Sequence, residues 1–173
     1  MKRLSLLFVT LGVLVAGCGS SSTTAPTTPT NPTFTATLSP ANENPAIVGA
    51  EAAGSGTATV TIVTTKDGAG NVTAATATFV VNLSGFPAGT PINAAHIHNG
   101  AAGVNAGVVV SSGITAGQNV LTNGSGTFTT ANLTVTPVDI ANQILANPAG
   151  FYFNVHSTLN GGGVARGQLV RVQ

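Results

Sequence analysis

The strongest constraint on what this chain can fold into is a two-residue period of apolar side chains, interrupted at short intervals by Gly, Asn and Pro. From Thr33 to Ser39, Phe34, Ala36 and Leu38 alternate with Thr35 and Thr37, which puts one set on each face of a half-buried strand. Gly56 to Thr64 and Val72 to Leu83 flank Lys66-Asp67-Gly68-Ala69-Gly70-Asn71, a turn-rich run that predicts an antiparallel hairpin. Further strands are predicted at Ala94 to His98, Val108 to Ser112, Gly124 to Thr130, Phe151 to His156 and Val164 to Val172, each bounded by Gly, Asn or Pro. The composition agrees, because 22 Gly, 9 Pro, no Trp and only 5% charged residues suit short strands joined by turns rather than long Glu- and Lys-rich surface helices. One helix is expected at Pro137 to Ala146, with Thr136 as its cap, Pro137 at its first position, Asp139 in its first turn and an apolar face of Ile140, Ile144 and Leu145; Asn147-Pro148 ends it. The expected fold is therefore all-β: an antiparallel, Greek-key-like sandwich or barrel of about eight strands with one short helix.

The N-terminal part of the chain follows different rules. MKRLSLLFVTLGVLVAGC has a basic start at Lys2 and Arg3, an apolar run from Leu4 to Val15, and small residues before Cys18, which is the plan of a secretory signal and too short for a permanent span. The ending Leu14-Val15-Ala16-Gly17-Cys18 resembles the bacterial lipobox, which implies a lipid on Cys18 and cleavage before it. Cys18 is the only cysteine, so it has no disulfide partner within the chain, and lipidation accounts for a lone thiol in an oxidising compartment. Residues 19 to 32 read GSSSTTAPTTPTNP; with no large apolar side chain to bury, they form a tether reaching roughly 3 Å per residue. That leaves about 140 residues, from Thr33 to Gln173, for a single domain. The expected address is a bacterial cell envelope, anchored to a membrane by lipid and facing periplasm or exterior; Gly19, in place of the aspartate associated with inner-membrane retention, fits an outer-membrane destination in a Gram-negative host. Without the leader, Lys66, Arg166 and Arg171 face Glu43, Glu51, Asp67 and Asp139, so there is no basic patch for nucleic acid. Partners other than the membrane, an envelope protein or another extracellular ligand, are not specified.

Chemistry concentrates in the three histidines. In His96-Ile97-His98 the strand period sends both imidazoles to one face and Ile97 to the core; in Phe151-Tyr152-Phe153-Asn154-Val155-His156 it sends Phe151, Phe153 and Val155 inward and Tyr152, Asn154 and His156 outward. His96, His98 and His156 can thus share a face and form a three-nitrogen set suited to copper or zinc. The alternative is that they bond to loops, with Asn154 and Arg166 bracing a polar cluster outside the sheet. No competing catalytic constellation is visible: the four acids form no paired motif, Gly54-Ser55-Gly56 lacks the spacing of a nucleophile elbow, and Gly161-Gly162-Gly163 joins two strands rather than opening a helix.

Several runs together carry a family likeness: Phe34-x-Ala36-x-Leu38, Asn42-Glu43-Asn44-Pro45, His96-Ile97-His98-Asn99-Gly100-Ala101-Ala102-Gly103, Asn154-Val155-His156-Ser157 and Arg166-Gly167-Gln168-Leu169. In combination and order they resemble the CHRD domain, over about Thr33 to Val170. That domain is a repeat in chordin, an extracellular antagonist of bone morphogenetic proteins, and a single copy in many exported bacterial proteins. The resemblance implies a secreted, non-enzymatic β module rather than a growth-factor ligand. A more distant similarity is to copper/zinc superoxide dismutases, in which a His-x-His strand and a later Val-His supply copper ligands and an arginine close to the C-terminus guides superoxide. His96, His98, His156 and Arg166 fall in that order. The chain departs from that pattern in having Ala101 where a glycine stands, no fourth histidine, no zinc set and no cysteine pair. A copper-dependent redox enzyme is accordingly the second functional reading, behind a binding module.

Overall fold

The computed structural model describes residues 31–173; the leader, Cys18 and the tether up to residue 30 lie outside the described residues. Ten strands and one α-helix follow in the order β1 (Thr33–Leu38), β2 (Ser55–Lys66), β3 (Val72–Ser84), β4 (Thr90–His98), β5 (Val108–Ser111), β6 (Asn119–Leu121), β7 (Gly126–Thr134), α1 (Asp139–Ala146), β8 (Tyr152–Ser157), β9 (Ala165–Gln168) and β10 (Val170–Arg171). One sheet has the order β10-β1-β2-β3-β7 and the other β5-β4-β8-β9, with β6 also on β4. Every pairing between strands is antiparallel, so the all-β expectation holds, as a two-sheet sandwich with one short helix.

The apolar period builds the space between the sheets. Phe34, Ala36 and Leu38 of β1, Ala58, Val60 and Ile62 of β2, and Phe79 and Val81 of β3 meet Ile97 of β4 and Phe153 and Val155 of β8 in one buried cluster. Phe79 and Phe153 join the two layers edge to face, with centroids 5.0 Å apart. The predicted hairpin forms because the Asp67 carboxylate accepts from the Ala69 and Asn71 amides at 2.9 Å each and so closes the β2–β3 loop.

Three local expectations are corrected. The C-terminal run is not one strand: β9 lies beside β8 in the second sheet and β10 beside β1 in the first, because Leu169, fully buried, turns the chain from one layer to the other. The crossing is tied at Ser39 and Arg166, whose backbones exchange bonds of 3.1 and 3.3 Å. Helix α1 begins at Asp139 with Val138 at the cap position and no side-chain cap; Thr136 does not serve, since Val135 is still held to the Ala75 carbonyl at 3.0 Å and strand pairing runs up to it. Finally, β4 starts at Thr90 rather than Ala94, and β6, absent from the sequence reading, pairs with that added segment.

The extension of β4 matters for the histidines. A bulge between Ile92 and Ala94 puts an extra residue into the strand. Ile92 faces the core, and after the bulge Ala95 and Ile97 face it. One inserted residue inverts the parity of everything downstream; with an unbroken period, His96 and His98 would share the core-facing side with Ile92.

Candidate metal centre

Strands β4, β8 and β9 lie side by side, and register decides what meets on their face away from the core. His98 stands opposite Tyr152, His96 opposite Asn154, Ala94 opposite His156, and on the far side of β8 Asn154 stands opposite Arg166. This face was expected to look outward. It is instead covered: Tyr152 and Asn154 are 2% exposed, His98 6% and His156 9%. The cover consists of the loops before and after these strands, which reach the face through side-chain and carbonyl bonds.

The three imidazoles converge. Ring centroids of His96 and His156 are 4.9 Å apart, those of His96 and His98 5.6 Å and those of His98 and His156 6.0 Å. One nitrogen from each ring lies within 4.8 Å of the other two. Nitrogens bound to one ion at about 2.0–2.1 Å cannot stand more than about 4.2 Å apart, so small ring rotations suffice to close the set.

Hydrogen bonding selects which nitrogens are free. A carbonyl oxygen only accepts, so Nδ1 of His98, 2.9 Å from the Ala106 oxygen, carries its proton, as does Nδ1 of His156, 3.0 Å from the Gly161 oxygen. Both Nε2 atoms then present lone pairs. Nε2 of His98 is buried without a partner among the described residues; Nε2 of His156 accepts from Nδ1 of His96 at 3.1 Å. Backbone carbonyls that hold the distal nitrogen and fix the tautomer are the usual support of a metal-binding imidazole. The same carbonyl bonds satisfy the alternative reading from the sequence, in which the histidines bond to loops; the two readings coincide.

Burial keeps these rings neutral. It depresses the pKa of His96 from 6.5 to about 4, with repulsion from His156 and His98 adding to the effect. Burial also lowers His98, against the opposing Ala106 bond and with repulsion from His156 and Arg166, and it lowers His156 against the Gly161 bond. Neutral imidazole is the ligand form.

Arg166 and Asn154 stand opposite each other on β9 and β8. Arg166, 3% exposed, donates to the Asn42 carbonyl at 2.6 Å and to Asn105 Oδ1 at 2.8 Å, and its guanidinium lies 4.8 Å from the Tyr152 ring centre. Tyr152 in turn stacks on His98, 4.7 Å between centroids and 2° from parallel, and its hydroxyl accepts from the Ala106 amide at 3.2 Å. Arg166 and Tyr152 thus hold the segment from Val104 to Ala106, whose last carbonyl orients His98. The sequence reading missed Tyr152 as a support, although the period places it on the histidine face and it is the chain's only tyrosine.

It also missed Glu43, read there only as one of four acids that form no paired motif. Its carboxylate is buried 3.8 Å from Arg166 Nε, and burial raises its pKa from 4.5 to about 7 although Arg166 opposes the shift. Glu43 Oε1, Asn154 Oδ1 and Arg166 Nη2 all lack hydrogen-bond partners among the described residues. Glu51, a second loop acid, is likewise buried and accepts from Ser157 Oγ at 2.7 Å, which ties the loop of Glu51 to the residue after His156.

Among known proteins, no curated protein and no solved structure matches this chain. The family model of the CHRD domain matches residues 34–169, a span that contains all three histidines, Asn154, Arg166 and Glu43. On that match the chain belongs to the CHRD domain family.

Proposed function

We propose that this protein is a non-enzymatic CHRD-type binding module of a bacterial cell envelope, lipid-anchored through Cys18, that holds one copper or zinc ion on His96, His98 and His156. The observation that carries the metal reading is the pairing of convergence with free valence. Three neutral imidazoles approach one point, and the buried Nε2 of His98 has no other partner among the described residues. An unpaired buried acceptor costs about 1–3 kcal/mol, which a bound ion offsets. At neutral pH the set needs little preparation, because a proton leaving Nδ1 of His96 can return to Nε2 of the same ring, which is the least enclosed of the three.

The non-enzymatic reading rests on the family and on what surrounds the rings. The supports are backbone carbonyls and a stacked tyrosine, with no further histidine or carboxylate within the ligand set of the described residues. The anchor rests on the Leu14-Val15-Ala16-Gly17-Cys18 pattern. Metal content by elemental mass spectrometry after exposure to copper and zinc tests the site: about one ion per chain, lost in His96→Ala, is expected, and an ion-free protein refutes it. Incorporation of labelled fatty acid, abolished in Cys18→Ser, tests the anchor.

A further inference from the structure

We infer that Glu51 is a positioning residue for His156: by holding the loop after β8 it keeps the proton on Nδ1 of that ring and aims the Nε2 lone pair toward the other two rings. The inference rests on the metal reading above for what that lone pair would hold. The tautomer of a ligating imidazole is set by the partner of its other nitrogen, and for His156 that partner is the Gly161 carbonyl, 3.0 Å from Nδ1. Gly161 cannot keep its own place. It opens the run Gly161-Gly162-Gly163, where the backbone is least restricted, and a Cβ at Gly161 or Gly162 would meet nothing within 4 Å, so no packing secures these residues.

What secures them is the residue before. Asn160 donates from Nδ2 to Glu51 Oε2 at 2.5 Å and from its amide to Ser157 Oγ at 2.9 Å, and the Ser157 hydroxyl donates to the same Glu51 oxygen at 2.7 Å. Glu51 is 3% exposed and Ser157 fully buried. Together they clamp the segment that runs from the residue after His156 to the residue before Gly161. Beyond the first glycines the Gly163 amide returns to the Asn160 carbonyl at 3.1 Å, which closes the loop on the anchored asparagine. A buried carboxylate is costly without donors, and the side-chain donors that Glu51 receives among the described residues both come from this loop. His98 is held separately: its carbonyl partner, Ala106, is fixed by the Tyr152 hydroxyl, and Asn105 before it is held by Arg166 and by the Asn44 carbonyl.

The test is nitrogen-15 NMR of the imidazole rings in the metal-free full chain in detergent, because protonated and bare ring nitrogens resonate far apart. The chain carries Cys18→Ser so that no thiol competes in a later zinc titration. His98 and His156 are both expected as Nδ1–H tautomers. Glu51→Ala should mix the tautomers of His156 and leave His98 unchanged, which a general loosening of the fold would not do. Glu51→Gln should restore the parent pattern, because one side-chain oxygen accepts both bonds. Should Glu51→Ala fail to fold, Asn160→Ala, at a half-buried position, cuts the link next to Gly161 and carries the same expectation. Zinc affinity should fall about tenfold to a hundredfold in Glu51→Ala and stay close to that of the parent in Glu51→Gln. An unchanged His156 in Glu51→Ala or Asn160→Ala, both rings changing together, or no rescue by Glu51→Gln overturns the inference. A parent chain with both Nδ1–H tautomers that binds no ion overturns the metal reading and leaves the role of Glu51 in place.

Discussion

Replacing Gly167 by alanine probes the close approach that holds the two sheets together beside the histidines. A Cβ at this position would lie 2.1 Å from the Thr37 carbonyl oxygen, 2.7 Å from its carbon and 3.1 Å from its nitrogen, where ordinary contact begins at 3.4 Å. All three atoms are backbone, so no side chain can swing away. Strand β9 must therefore retreat from β1 by roughly 1 Å, which stretches the Ser39–Arg166 bridge beyond bonding distance. Overpacking costs about 1–3 kcal/mol, and the two bonds add about 1 kcal/mol each, for a loss of about 4 kcal/mol. In a domain of this size that corresponds to a melting temperature about 12 °C lower. Thermal unfolding followed by circular dichroism measures it. The comparison is Gly68→Ala, the same chemical change in a hairpin loop with nothing within 4 Å of the new methyl, expected to stay within about 1 kcal/mol of wild type. If Gly167→Ala unfolds with Gly68→Ala and the parent protein, the inter-sheet approach is not a structural requirement and the reasoning fails.

Further outcomes follow from the site. Tyr152→Phe removes the acceptor of the Ala106 amide and should cost about 1–2 kcal/mol in urea titration while releasing metal faster; an unchanged release rate would mean that Tyr152 does not steady His98 through Ala106. Arg166→Ala leaves the buried Glu43 carboxylate unpaired and should cost about 3–5 kcal/mol at pH 8, and less at pH 6, where Glu43, with its pKa near 7, is mostly protonated. The pH dependence of the metal-free protein has two opposing limbs. His96 titrates at about 4 when folded and 6.5 when unfolded, so the unfolded chain binds more protons in that window and stability falls as pH drops through it; Glu43, raised from 4.5 to about 7, makes stability fall as pH rises through its window. Because His98 and His156 are lowered as well, the acid limb dominates, and Glu43→Gln should steepen it in denaturation curves between pH 7 and 4. A flatter profile in that variant would contradict the assigned directions.

The candidate site was legible in its composition and its side of the strand. His96, His98 and His156 could be assigned to one face because a strand's side chains alternate with a period of two, a rule that needs no knowledge of the partner strand. Asn154 followed from the same rule, whereas Arg166 was read beside it only as a brace of a polar cluster. Their common enclosure was not legible, since it depends on how loops close over the sheet: Asn42 and Asn105, distant in sequence, clasp Arg166, and Gly161 and Ala106, in the loops that follow the two histidine strands, hold the rings. Contacts of that kind leave no periodic trace.

By itself, then, the sequence determined what local chemistry can determine: short antiparallel strands, the Asp67–Asn71 hairpin, the helix ending at Asn147, and the pairing of imidazoles on alternate residues. Each depends on neighbours within a few positions. Only the tertiary structure decided the split of the last strand between two sheets, the bulge after Ile92 that turns His96 and His98 away from the core, and the burial of Glu43 against Arg166. These are set by the registers in which β4 meets β8 and β8 meets β9, and by the closure of loops over their face. The energies involved arise from long-range packing, which the order of residues along the chain encodes only through the folded whole.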